Sequence, residues 1–307
     1  MKLALPDMVS NSYFPAEAAV ELGYFSKHGL DMSLELIFPV DKCYEALREG
    51  KIDIVAGSAH SALAAFPYFD GVQLLCAQSQ GMYWFLVMHS ELKAKAGDFE
   101  SVKGRTIGAA PWVDLGLKQV LRASGYDLER DRINIVPVPI QVGAGPNFGL
   151  NAARALEARQ IDGFWANGMA AEIAVNSGVG TLVFDARRSR EPAEAFHYTM
   201  ASVAMRTKFI EAHPELAISV TKAIVDAQRA LKSDVEQAAA VGRALFPPNE
   251  SKLIVELVRR DIPYYQSAVI PESVAGMSRF CRNCGILSSD LEYDRVVAGV
   301  TRDYWEP

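Results

Sequence analysis

Short apolar runs bounded by Gly or Pro alternate with helical patterns from the N-terminus to about residue 186, and nothing else in the chain constrains its fold as much. A strand that returns to the same sheet through a helix pairs in parallel, so the alternation predicts parallel α/β architecture. Residues 3–5 read as the first strand. Pro15 suits a first helical turn, Ala16, Ala19 and Val20 follow at helical spacing, and Gly23 is a stop. Met32, Leu34 and Leu36 alternate with Asp31, Ser33 and Glu35, the period of a second strand. A helix over 42–48, a strand over 52–56, a Gly57-Ser58 turn and a small-residue helix from Ala59 complete this plan.

The plan then recurs. Ala46-Leu47 ahead of Ile52-Asp53 is echoed by Ala155-Leu156 ahead of Ile161-Asp162. Strands are predicted at 106–109, 133–138, 163–166 and 181–184, and helices at 115–124, 151–159 and 169–176. Two β-prone stretches, 84–88 and 199–205, suit crossings between lobes, with hinges near 86–91 and 198–204. Residues 1–88 with 204–307 would then form lobe I and 89–203 lobe II. From Arg206 onward the pattern is helical, broken at Pro214, Pro247-Pro248, Pro263 and Pro271, and is expected to pack back on the first lobe.

With 307 residues, half of them hydrophobic, the chain can bury a real core, which excludes disorder and suggests two domains. Its net charge is -6 with scattered basic residues, so the footprint of a nucleic-acid binder is missing and a small solute is the expected partner. No apolar run is long enough to span a bilayer. Met1, Lys2 and Leu3 lead quickly to Pro6 and Asp7 without the apolar stretch of a secretory signal, which implies a cytoplasmic protein or a trimmed leader. Four cysteines do not make a disulfide scaffold in a chain of this size. Cys281 and Cys284 have the spacing of half a zinc site or of a redox pair, but no second CxxC or nearby His pair completes a tetrahedral set, so one buried and one exposed thiol are expected.

Glu21-Leu22-Gly23-Tyr24-Phe25, His28-Gly29-Leu30-Asp31, and Leu47 with Gly50 before Ile52-Asp53-Ile54 resemble the N-terminal region of ABC-transporter substrate-binding proteins of the nitrate/taurine/sulfonate type, in the superfamily that includes the NMT1/THI5-like domain. The resemblance implies a type II periplasmic-binding-protein fold, two lobes with a ligand cleft between them. It also implies a periplasmic protein that closes over a solute and docks on a membrane permease; a monomer is expected. One enzymatic branch of that superfamily makes the thiamine pyrimidine from pyridoxal phosphate held on a lysine beside a histidine, with an iron-associated cysteine cluster. His60 with Ser61-Ala62-Leu63-Ala64-Ala65 is similar to its histidine segment, but the lysine position is Ala56 and the cysteine cluster is missing. Without an amine the Schiff base has no anchor, so no cofactor is expected. A cytoplasmic enzyme or sensor on the same fold is the alternative.

In parallel α/β lobes, ligands bind beyond the carboxyl ends of strands, where helix N-termini present N–H groups. That rule selects loops 9–14, 38–41, 57–60, 110–114, 141–149 and 165–168, with 81–84 near the crossing, and none of them holds a Lys or Arg. They hold Tyr13, Phe14, Tyr83, Trp84, Trp112, Phe148 and Trp165, together with Ser10, Asn11, Ser12, Asp41, Ser58, His60, Asp114 and Asn167. The expected ligand is therefore aromatic or heteroaromatic, with at most one anionic group held by Ser10, Ser12, Ser58, His60 and backbone amides. Asp41 or Asp114 would accept a cation or an N–H. His60 would act as a neutral hydrogen-bonding partner, and His60→Ala would weaken binding while sparing the melting temperature. The Gly143-Ala144-Gly145-Pro146-Asn147 run lacks the Lys-Ser/Thr of a phosphate loop and reads as a cleft loop.

Overall fold

A computed structural model describes residues 1–139 and 147–306. They divide into two compact units, Met1–Gly81 with His197–Pro307, and Met82–Phe196. In unit 1, β1 (Lys2–Leu5) leads through α1 (Phe14–Glu21) and α2 (Tyr24–Lys27) to β2 (Ser33–Leu36). Then α3 (Val40–Arg48) leads to β3 (Ile54–Ser58), a 3₁₀ turn (Ala59–Ala64) and β4 (Val72–Ser79).

Unit 2 contains β5 (Phe85–His89), β6 (Thr106–Ala109), α4 (Asp114–Ala123), β7 (Asn134–Val136), α5 (Phe148–Glu157), β8 (Gly163–Ala166), α6 (Gly168–Asn176) and β9 (Gly180–Asp185). The chain re-enters unit 1 through β10 (Ala201–Arg206). Helices α7 (Thr207–Ala212), α8 (Pro214–Ser233), α9 (Gln237–Leu245), α10 (Pro248–Asp261), α11 (Pro271–Asn283) and α12 (Tyr293–Val296) follow.

The unit 1 sheet has the order β2-β1-β3-β10-β4. Strand β1 pairs in parallel with β2 and β3, and β10 runs antiparallel between β3 and β4. Every residue of β3 is buried, as expected of a central strand covered on both faces, whereas β2 at the edge is only partly covered. Unit 2 repeats the arrangement as β7-β6-β8-β5-β9. There β6 is parallel to β7 and β8, and β5 runs antiparallel between β8 and β9.

Several expectations shift. Gly57 and Ser58 do not form a turn: they stay in β3 because β10 pairs with them, Ser202 against Gly57 and Ala201 against Ser58. The stretches 84–88 and 199–205 are not connectors either, since β5 and β10 lie within single sheets and the chain changes unit at Gly81/Met82 and Phe196/His197. Strand β4 is an addition to the expected set, because its Leu, Cys, Ala and Gln residues carry little β propensity and its partner β10 is far along the chain.

The helical C-terminal part does pack on unit 1, and it covers the edge that β4 would otherwise leave open. Leu75 O accepts from Thr301 Oγ1 at 2.7 Å and from Trp305 Nε1 at 2.8 Å, and Leu74 O accepts from Ala298 N–H at 2.9 Å. Gln228 Nε2 donates to Ala77 O and Gln78 O, and Ala77 N–H donates to Ser267 O. Among the described residues no helix is long and apolar enough to cross a membrane.

Candidate functional site

In unit 1 the loop after β1, the end of β3, the end of β4 and the start of β10 share one edge of the sheet, because Ala201 pairs with both Ser58 and Ser79. Asp7 Oδ1 accepts from Val9 N–H at 3.0 Å, bending the chain into the loop that carries Ser10, Asn11, Ser12 and Tyr13, all buried. Asn11 Nδ2 donates to Asp261 Oδ2, and Tyr265 OH donates to Asn11 O, so residues from α10 onward lock the loop. With its amide so oriented, Asn11 turns Oδ1 toward no hydrogen-bond partner, and Ser10 Oγ is likewise buried without one. Ser12 O accepts from Ser79 Oγ at 3.3 Å. Phe14 is fully buried edge-on to Phe246, so its ring belongs to the core.

Ser58 Oγ lies 2.6 Å from Ser61 Oγ, and Ser58 O accepts from Tyr44 OH. His60 is 0% exposed, with Nδ1 3.0 Å from Thr199 Oγ1 and its ring edge-on to Phe280 at 5.4 Å. That burial alters the expectation for its removal: His60→Ala would leave a cavity against Phe280 and lower the melting temperature as well. Asp41 stands in the first turn of α3 with Oδ1 buried and unpartnered. Thr199, Ser79, Asp261 and Tyr265 complete this edge and escape sequence reading, since each reaches it through pairing or packing distant in the chain. The polar Gln78-Ser79-Gln80 tail of an apolar run is the one local signal that points to them.

Glu17 lies one turn into α1, fully buried, with neither carboxylate oxygen hydrogen-bonded. Burial first, then the negative charges of Asp7 and Glu21, push its carboxyl well above the usual range. A helix N-terminus favours negative charge by about 0.3–1 kcal/mol, less than the cost of burying an unpaired carboxylate, so Glu17 is held neutral.

In unit 2 the corresponding edge is aromatic. Trp165 in β8 is fully buried, donates Nε1–H to Val113 O at 3.0 Å, and lies 6.2 Å from the rings of both Trp84 and Phe184. Tyr83 and Trp84, both buried, have ring centroids 4.9 Å apart. Gly116 of α4 permits this packing, since a Cβ there would lie 2.9 Å from Met82 Sδ and 3.1 Å from the Trp84 ring. Trp112 is only half-buried and has φ +68°, a strained backbone for a bulky residue. Asp114 is engaged by Lys118 one helical turn on. Asn167 caps α6, its Oδ1 accepting from Ala170 N–H at 3.0 Å. Phe148, at the start of α5, is buried. Of the 141–149 loop, the run up to Pro146 lies outside the described residues.

The expected absence of Lys and Arg from the strand ends does not extend to β9. Asp185 ends β9 opposite Phe85, which begins β5, and Phe85 also pairs with Ala166 at the end of β8. Arg187 follows at once on the edge that carries Tyr83 and Asn167. It is buried, with its guanidinium carbon 5.6 Å from the Tyr83 ring centroid. In sequence it belongs to an Arg187-Arg188-Ser189-Arg190 run that reads as a solvated charged turn.

Among the described residues no cluster of three His, Cys, Asp or Glu could hold a metal ion. Cys281 is buried and Cys284 partly exposed, and burial raises the Cys281 thiol above its usual range.

Two five-stranded sheets with this strand order define the type II periplasmic-binding-protein fold. The chain belongs to the NMT1-like family, whose model matches residues 10–245. Among solved structures it resembles a protein from Bordetella bronchiseptica RB50 (TM-score 0.79, 19% identity, covering 99% of this chain and 96% of that one). It also resembles the periplasmic nitrate-binding protein NrtA from Synechocystis PCC 6803 (TM-score 0.74, 14% identity, 99% and 87%). A third is the alkanesulfonate-binding protein SsuA from Xanthomonas axonopodis pv. citri bound to MOPS (TM-score 0.72, 14% identity, 96% and 97%). No curated protein sequence matches the chain at a significant level.

Proposed function

We propose that this protein is the solute-binding component of an ABC importer, periplasmic, and delivers a small organic molecule to a membrane permease. The observation that carries the reading is the loop after β1, where Ser10 Oγ and Asn11 Oδ1 are buried without partners. Buried polar atoms are costly to leave unsatisfied, by about 1–3 kcal/mol each, and a bound solute is what would satisfy them. Asn11 Oδ1 and Asp41 Oδ1 only accept, so the solute would bring N–H or O–H donors to this edge. Taken within unit 2 alone, the strand-end aromatics Tyr83, Trp84 and Trp112 support an aromatic or heteroaromatic solute class. Membership of the NMT1-like family and fold likeness to binding proteins named for nitrate and alkanesulfonate agree with import.

The experiment is a thermal-shift screen of aromatic acids, heteroaromatic amines, pyrimidines, sulfonates, nitrate and phosphate, with the hit recovered and identified. A ligand at 100 times its Kd stabilises by about 2.7 kcal/mol, which is readily seen. A stabilising solute recovered unchanged is the expected result. A solute recovered chemically altered would replace the reading with an enzyme, and inorganic phosphate as the sole hit would overturn the aromatic class.

A further inference from the structure

We propose that Cys281 and Cys284 are a redox-active dithiol that closes to a disulfide by exchange with a small anionic disulfide of the glutathione class. This activity stands apart from solute binding and does not depend on it.

The two thiols share the last turn of α11. Gly285, at φ +74°, ends the helix in a left-handed cap: its N–H donates to Arg282 O at 2.9 Å, and Ile286 N–H donates to Cys281 O at 2.9 Å. Those two bonds make a Schellman motif, with Cys284 as the C-cap and a glycine where the backbone turns left-handed. Cys281 and Cys284 are thereby held three residues apart on one face, where Cβ atoms lie about 5–6 Å from each other. A disulfide needs about 3.5–4.5 Å, so closing the bond takes only a tightening of this one turn.

Burial sorts the thiols into roles. Cys281 is 0% exposed and burial raises its thiol above the usual range, whereas Cys284 is partly exposed. Cys284 is therefore the attacking thiol and Cys281 the resolving one. Cys43 of α3 and Cys76 of β4 are fully buried, and burial raises both thiols, so they stay out of the exchange. Phe280, next to Cys281, stacks on Tyr198 at 4.8 Å and meets His60 edge-on, so the turn that holds the pair also holds that side of unit 1.

The class of oxidant comes from the surroundings. A cleft of about 460 Å³ is walled by Arg279, Arg282 and Asn283 of α11 and by Leu287 and Ser288 just beyond its end. The turn that carries Cys284 joins those two walls. Arg282 pairs with Asp290 at 3.1 Å, and Arg279 is exposed. Two guanidinium groups beside one carboxylate offset the negative end of α11 and favour a disulfide that itself carries carboxylates.

In the first step the Cys284 thiolate, its proton given to water, attacks one sulfur of the oxidant. The oxidant's S–S bond breaks and its first half leaves as a thiolate that takes up a proton. Cys281 then attacks Cys284 Sγ, the mixed disulfide breaks, and the second half leaves with the Cys281 proton. Two protein thiols are oxidised to one disulfide while the external disulfide is reduced to two thiols.

The test incubates the reduced full chain with glutathione disulfide or with cystamine, a cationic disulfide, then alkylates the remaining thiols and reads them by mass spectrometry. Two of the four thiols should be lost with no glutathione retained. Trypsin cuts after Arg282, between the two cysteines, so their peptides should stay joined until reduction. At low salt glutathione disulfide should react several-fold faster than cystamine, and Arg279→Gln should remove most of that preference. Cys281→Ser should trap glutathione on Cys284, and Cys284→Ser should leave its three thiols unmodified. The parent protein and the partly exposed Cys284→Ser carry the test should Cys281→Ser fail to fold.

A glutathione adduct that persists on the parent, a Cys284 that does not react in the folded protein, or a disulfide to Cys43 or Cys76 would overturn the dithiol. Equal rates with cystamine, or a preference unchanged in Arg279→Gln, would overturn the anionic class of oxidant.

Discussion

The two units follow one plan down to single bonds and then part company at their strand-end edges. In unit 1, Asp53 N–H donates to Lys2 O at 3.0 Å and its carboxylate accepts from Lys2 N–H at 2.8 Å. In unit 2, Asp162 N–H donates to Thr106 O at 2.8 Å and its carboxylate accepts from Thr106 N–H at 2.8 Å. Lys51 N–H closes on Ala46 O as Gln160 N–H closes on Ala155 O. On this alignment Ala56 corresponds to Trp165, and Ser58 to Asn167. One position therefore holds a small residue in a polar edge and a large indole in an aromatic one. The shared bonds set where strands begin, and the side chains beyond them set the chemistry of each edge.

Trp165→Ala breaks the contrast most directly, because it gives unit 2 the residue of unit 1. Truncating a fully buried indole is expected to cost about 3–5 kcal/mol, measured by urea denaturation. A cost near zero would mean that the aromatic cluster with Trp84 and Phe184 does not support unit 2. Glu17→Gln addresses the first helices, buried Glu17 in α1 against Asp114 paired with Lys118 in α4. The Glu17 carboxyl is raised in the folded state, so its favourable contribution is complete below its unfolded value near pH 4.5 and is lost as pH rises through the folded value. Glu17→Gln should therefore raise the melting temperature by several degrees at pH 8 and change it little at pH 4. Equal shifts at both pH values would show that Glu17 is not held neutral.

Asp53→Ala and Asp162→Ala sharpen the likeness instead of the difference. Each removes one hydrogen bond to a first strand and should cost about 0.5–1.5 kcal/mol. Melting curves for the pair should agree closely, and a large inequality would show that the two bonds are not equivalent.

Much of this plan is legible in the chain. Strands β6 and β8 coincide with the expected 106–109 and 163–166, and the Ala-Leu/Ile-Asp echo marks the two aspartates that anchor β1 and β6. Strand β4 is less legible because its pairing depends on β10, more than a hundred residues away. The same distance hides Thr199, Asp261 and Tyr265 from the unit 1 edge, and β9's place beside β5 conceals Arg187 in what reads as a charged turn.

By itself the sequence determined the alternation of strand and helix, the doubling of the plan and the strand-end loops, because periodicity and turn chemistry act over a few residues. Tertiary structure alone decided which polar atoms of Ser10 and Asn11 go unsatisfied, that Glu17 is held neutral, that His60 is sealed beneath Phe280, and that one arginine of a basic run is drawn against Tyr83. Those outcomes depend on burial and on partners supplied by distant segments, and no local pattern encodes either.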